Sequence, residues 1–133
     1  MLAEALYAQG RFDEAQQMTE EAQAAPVVAE VDLQPAWWAI QAQLLARRGR
    51  LSAARRMMDQ AEALLAPVSS PWDHGWMLVA KAEVNRLAGA PEAAAADLRK
   101  ALRIYEDRQA PSLAAPVRTA LASLVVQQRQ EAQ

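Results

Sequence analysis

Apolar and small residues recur along this chain at helical spacing, and the pattern is broken at near-regular intervals by a glycine. Three of the four glycines sit in related settings, Ala-Gln-Gly10-Arg-Phe, Arg-Arg-Gly49-Arg-Leu and Leu-Ala-Gly89-Ala-Pro, separated by 39 and 40 residues. With the flanks aligned on these glycines, alanine fills three columns. Ala3, Ala42 and Ala82 lie seven residues before, Ala15, Ala54 and Ala94 five after, and Ala22, Ala61 and Ala101 twelve after. Large apolar residues fill others: Trp38 and Leu78 eleven before, Met58 and Leu98 nine after. A helix, a tight turn at glycine and a second helix account for the pattern. Glycine just past a helix end takes the left-handed conformation without a Cβ penalty. Alanines on the flanking helices let the two axes approach closely, and the bulky residues fill the space beside them.

Seven helices follow from this reading. The first is short, about Leu2 to Gln9, and the second runs from Phe12 to about Ala24. Residues 25–33, with Pro26 and the β-branched Val27, Val28 and Val31, form a linker. The third helix starts near Pro35, a suitable first-turn residue, and ends at Arg48. The fourth covers Leu51 to Leu65. After the break Ala-Pro-Val-Ser-Ser-Pro, Ser70 caps the fifth, with Pro71 in the first turn and Asp73 three residues after the cap. That helix runs to Ala88. The sixth spans Pro91 to about Asp107. The seventh begins near Pro111, carries Pro116 early, and fades into a polar tail. The expected architecture is all-α, an α-solenoid of about three antiparallel hairpins plus a C-terminal helix. It forms one domain over residues 1–128, with repeats at about 1–25, 33–66 and 70–108, a final helix at 111–128 and a frayed tail at 129–133.

Composition agrees. The chain is 53% hydrophobic but only 5% aromatic, and its commonest residues are strong helix formers. Fourteen basic and 16 acidic side chains give a net charge of -2, so no long-range field steers nucleic acid or an anionic membrane. No apolar run approaches the roughly 18 residues of a membrane span. The N-terminus carries Glu4 early and no basic segment, unlike a secretory signal. The expected location is the cytoplasm.

Residues 5 to 15, Ala-Leu-Tyr-Ala-Gln-Gly-Arg-Phe-Asp-Glu-Ala, resemble the turn of a tetratricopeptide repeat: a small residue, an aromatic, the glycine turn, an aromatic, then Glu-Ala. The units Trp38–Ala61 and Leu78–Ala101 depart further. Leu51 and Pro91 stand where the family prefers an aromatic, Asn85 where a large apolar residue is usual, and the period exceeds the family's usual figure of about 34 residues. Residues 82 to 106 are similar to the last repeat in the C-terminal arrays of large bacterial signalling ATPases, nucleotide-cyclase fusions and transcriptional regulators of the LuxR and AfsR types. The resemblance implies a non-catalytic scaffold whose concave face binds a protein or peptide partner or a neighbouring domain. By the family's offsets, Glu4, Tyr7, Gln43, Arg47, Trp76, Glu83 and Arg86 line that groove. A packing alternative pairs Trp76 with Trp72, one helical turn away. The groove lacks the lysine-asparagine set with which chaperone-binding members clamp a C-terminal carboxylate.

Catalytic chemistry finds little to build on. One histidine and no cysteine exclude a cysteine- or histidine-rich metal site within a monomer, and no phosphate loop is present. No cofactor is expected, and no enzyme activity. His74 beside the Ser70 cap reads as a surface or partly packed residue. Pairs such as Glu20 with Glu21 point in different directions on a helix. The run Arg47, Arg48, Arg50, Arg55 and Arg56 reads either as a nucleic-acid patch or as a solvated turn that complements a helix C-terminus. The net negative charge favours the second. The first helix is short beside the third and fifth, so in a solenoid the second is left partly uncovered. Upstream residues of a parent protein, or a second copy in a homodimer, would complete it. That leaves two alternatives to the scaffold reading: a C-terminal regulatory segment of a larger ATPase, cyclase or transcriptional regulator, and a small-ligand sensor with the tryptophans at the helix starts as a pocket wall.

Overall fold

The computed structural model describes residues 6–24, 34–65 and 70–132. The chain is all-α, with no strand among the described residues. Helix α1 is described over residues 6–8. The others are α2 (Phe12–Ala24), α3 (Gln34–Arg47), α4 (Leu51–Leu65), α5 (Pro71–Leu87), α6 (Pro91–Asp107) and α7 (Pro111–Ala132). Ala3, Glu4, the linker at 25–33 and the side chain of Ala22 lie outside the described residues. The chain divides into two compact units, Met1–Ala66 and Pro67–Gln133. The division falls in the proline-bounded break before Ser70.

One turn geometry ends a helix four times. At each, the N–H three residues past the last helical residue donates to a carbonyl five residues back: Arg11 to Leu6 at 2.9 Å, Arg50 to Leu45 at 3.0 Å, Ala90 to Asn85 at 2.9 Å and Ala110 to Tyr105 at 2.9 Å. These bonds, with one from the preceding residue to the carbonyl three residues back, satisfy carbonyls that a helix end leaves open. The geometry needs a positive φ, which Gly10, Gly49 and Gly89 supply at 79°, 82° and 77°. The fourth turn is built on Gln109 at φ 54°, a conformation that costs an L-residue roughly 1–2 kcal/mol. Gln109→Gly is therefore expected to raise stability by about 1 kcal/mol, read as a higher urea midpoint at unchanged slope. A lower midpoint would contradict the assignment of strain to this turn.

In the first unit, α2 and α4 both pack on α3. Helix α3 is buried at Ala39, Ile40, Ala42, Leu44 and Ala46. The outer helix α4 buries a single stripe, Ala54, Met58 and Ala61, at the spacing of one helical face, and exposes Arg55, Arg56, Asp59 and Gln60. Ala15, Ala42, Ala54 and Ala61 have no exposed surface at all, so larger side chains have no room there. Thr19 occupies the column that holds Met58 and Leu98 in the other hairpins and is likewise fully buried. Its hydroxyl donates to the Ala15 carbonyl at 2.7 Å, which satisfies the polar atom inside its own helix.

In the second unit, α6 packs against α5 and α7. Its core includes Ala82, Ala94, Leu98, Ala101, Tyr105, Val117 and Leu124. Helix α5 begins as the sequence implies: the Asp73 N–H donates to Ser70 Oγ, and the Ser70 N–H to the Asp73 carboxylate, closing a capping box. Helix α7 reaches Ala132, four residues beyond its expected end. Its polar tail is made of Gln, Arg, Glu and Ala, all good helix formers, so polarity alone does not stop it. Pro116 stays inside the helix, where its missing N–H removes one bond, to the Ser112 carbonyl.

Candidate functional site

The residues expected in the groove fall into two groups, one in each unit. In the first, the turn at Gly10 brings Tyr7 and Phe12 together, their rings edge to face at 5.1 Å. Arg47, in the last turn of α3, lays its guanidinium over both, 4.3 Å from the Phe12 centroid and 5.2 Å from that of Tyr7. Its Nε donates to the Tyr7 hydroxyl at 2.8 Å. A cation over aromatic faces is held by their quadrupoles and by its own planarity. The structure thus joins Tyr7 and Arg47, forty positions apart, and adds Phe12, which the groove offsets passed over. The signal for Phe12 was the aromatic that follows the turn glycine in the resembled motif. Beside this cluster, Arg48 reaches Asp13 at 3.5 Å.

Gln43 lies one turn before Arg47 on α3 but is only 8% exposed. Its Nε2 donates to the Ala39 carbonyl at 3.3 Å, so it turns back onto its own helix. The neighbouring Gln41, equally buried, accepts from Gln16 Nε2 at 2.9 Å, which joins α2 to α3 through paired amides. Glu4 falls outside the described residues.

In the second unit, Trp76, Glu83 and Arg86 all lie on α5. Trp76 is half-buried. Arg86 grips Glu83 with two bonds, Nε to Oε2 at 3.0 Å and Nη2 to Oε1 at 2.7 Å. This fork-to-fork geometry fixes both side chains along the helix. The ring on which Trp72 stacks belongs to Tyr105, with centroids 6.4 Å apart and planes at 24°. Tyr105 comes this close to α5 because position 75 is glycine: a Cβ there would stand 2.8 Å from the Tyr105 ring. Trp72 keeps 44% of its surface exposed, so the stack is open to solvent on one side.

A depression of about 200 Å³ lies by the α6–α7 turn, lined by Tyr105, Gln109, Pro111 and Arg118 among others. Two more, of about 350 and 370 Å³, lie on α6 and α7. None of these three is lined by a tryptophan. Among the described residues no group of three or more His, Asp or Glu side chains could hold a metal ion, and no helix is long and apolar enough to cross a membrane. The arrangement offers pre-set cationic and aromatic contacts. Compared with protein families, with curated proteins and with solved structures, the chain matches none.

Proposed function

We propose that this chain is a non-catalytic protein-binding module of tetratricopeptide-like hairpins, which engages a partner through the polar and aromatic side chains that the first helix of a hairpin leaves accessible, Arg47 foremost. The observation that carries this reading is Arg47 clamped over Tyr7 and Phe12. Arginine and aromatic residues dominate the energetics of protein recognition. A guanidinium already held in one orientation loses less rotamer freedom on binding. Trp76, Glu83 and Arg86 repeat the theme on α5, with an aromatic and a fixed ion pair on one helix. The repeated turn and the buried alanine columns support the family resemblance that assigns this face to binding.

The test is a quantitative comparison of proteins cross-linked to the full chain in cells. Wild type is set beside the Arg47→Ala/Trp76→Ala double variant, and Arg56→Ala, at an exposed site on α4, serves as control. Helicity is checked by circular dichroism. The reading expects the double variant to lose its specific partners by about tenfold or more, since loss of a central contact costs above 1 kcal/mol, while the control keeps them. Recovery of the same partners in the same amounts by the double variant would remove the basis for the assignment.

A further inference from the structure

Asp97 lies on α6 with only 5% of its surface exposed. Asn85 on α5 donates from Nδ2 to its carboxylate at 2.7 Å. Asn85 stands four residues before Gly89 and Asp97 eight after it. At the same offsets the turn at Gly49 carries Leu45 and Met57, and the turn at Gly10 carries Leu6 and Met18. Leu6 is 7% exposed, and the other three are half-buried. Two hairpins therefore fill this register with an apolar pair, and one fills it with a hydrogen-bonded polar pair. Three core columns are identical: Ala42 and Ala82 on the first helices, Ala54 with Ala94 and Ala61 with Ala101 on the second. Others differ, with Ile40 in the register of Ala80 and Leu44 in that of Val84, so α3 and α5 share the small-residue crossing but not the whole face.

We propose that Asn85 and Asp97 form a pairing code, which helps direct α6 onto α5 rather than onto α3, where the same alanine crossing is on offer. Docking α6 on α3 would set the Asp97 carboxylate against Leu45, and docking α4 on α5 would set the Asn85 amide against Met57. Each mispairing buries a polar group where its counterpart offers no hydrogen bond, which is costly. The correct pairing satisfies both. The polar pair adds little net stability over a well-packed apolar one. What it adds is discrimination between alternatives, as a single buried polar residue does in fixing the register of a coiled coil. The inference rests on the repetition of the hairpins and is independent of what the protein binds.

Refolding of the full chain from urea tests it, with the native fraction read by tryptophan fluorescence and the monomer by gel filtration. Asn85→Leu alone takes a hydrogen bond from a buried carboxylate and lowers the folding equilibrium constant by about tenfold or more. The double variant Asn85→Leu/Asp97→Met is expected to match or exceed wild type in equilibrium stability, yet to give several times more misfolded or slowly refolding material. Moving the pair to the other hairpin, with Leu45→Asn and Met57→Asp added to that double variant, restores the asymmetry and is expected to restore clean refolding. A double variant that refolds as cleanly as wild type would overturn the proposal. So would a double variant markedly less stable than wild type, because the pair would then be a source of stability rather than of choice. A transplanted pair that leaves the misfolded fraction high would overturn it as well.

Discussion

Ala94→Leu is expected to lower the stability of the protein by about 2–3 kcal/mol, whereas Ala93→Leu, one residue earlier on the same helix, should change it by less than about 0.5 kcal/mol. The two positions differ in what surrounds them. Ala94 is 1% exposed and belongs to the core that α6 shares with Ala82 and Leu98. Ala93 faces solvent. Helix propensity changes little between alanine and leucine, so the contrast isolates packing. Added methylenes at a filled crossing force the helices apart or drive neighbouring side chains off their rotamers. Urea unfolding of both variants, followed by far-UV circular dichroism, measures it. Equal midpoints for the two would mean that α5 and α6 do not cross closely at Ala94.

Tyr105→Ala should cost still more, about 3–5 kcal/mol by the usual penalty for emptying a buried aromatic site. Tyr105 is 5% exposed, stacks on Trp72 and lies directly over Gly75. The same contact sets the sign of a second substitution. In the wild-type background Gly75→Ala places a methyl group 2.8 Å from the ring, and the forced displacement outweighs the roughly 1 kcal/mol gained by replacing glycine inside a helix. With Tyr105 already alanine the obstacle is gone, and Gly75→Ala should then stabilise by up to about 1 kcal/mol. A reversal of sign between the two backgrounds is the mark of direct coupling. Additive effects would show that glycine at 75 is not required by the ring.

Much of the local fold was legible in the sequence because its signals are local. Gly10, Gly49 and Gly89, Ser70 with Asp73, and the prolines at 71, 91 and 111 mark helix ends by their own backbone preferences, and each lies in or beside the first turn or the end of a helix. The turn at Gln109 carries no glycine, so only Pro111 announced it, and its left-handed residue could not be read. Helix α7 reaches Ala132, past the expected end, because a polar tail of good helix formers does not stop a helix. The site was legible only in part. Tyr7 and Arg47 were placed by offset from the glycines, and their contact depends on how α3 lies against the α1–α2 turn. That is a tertiary fact which no spacing states. Gln43 shares the offset logic, but its amide found a carbonyl on its own helix. The Asn85 anomaly was visible as a departure from the repeat, yet its meaning appeared only when Asp97 was found beside it.

Helix pairs in this chain reverse direction at fixed points. Backbone φ angles from nuclear magnetic resonance couplings and chemical shifts, assigned residue by residue, address it most directly. Helical values are expected on both sides of Gly10, Gly49, Gly89 and Gln109, with a positive φ at each of those four positions. Unbroken helical values running through any of the three glycines, or extended values in the segments that flank them, would contradict it.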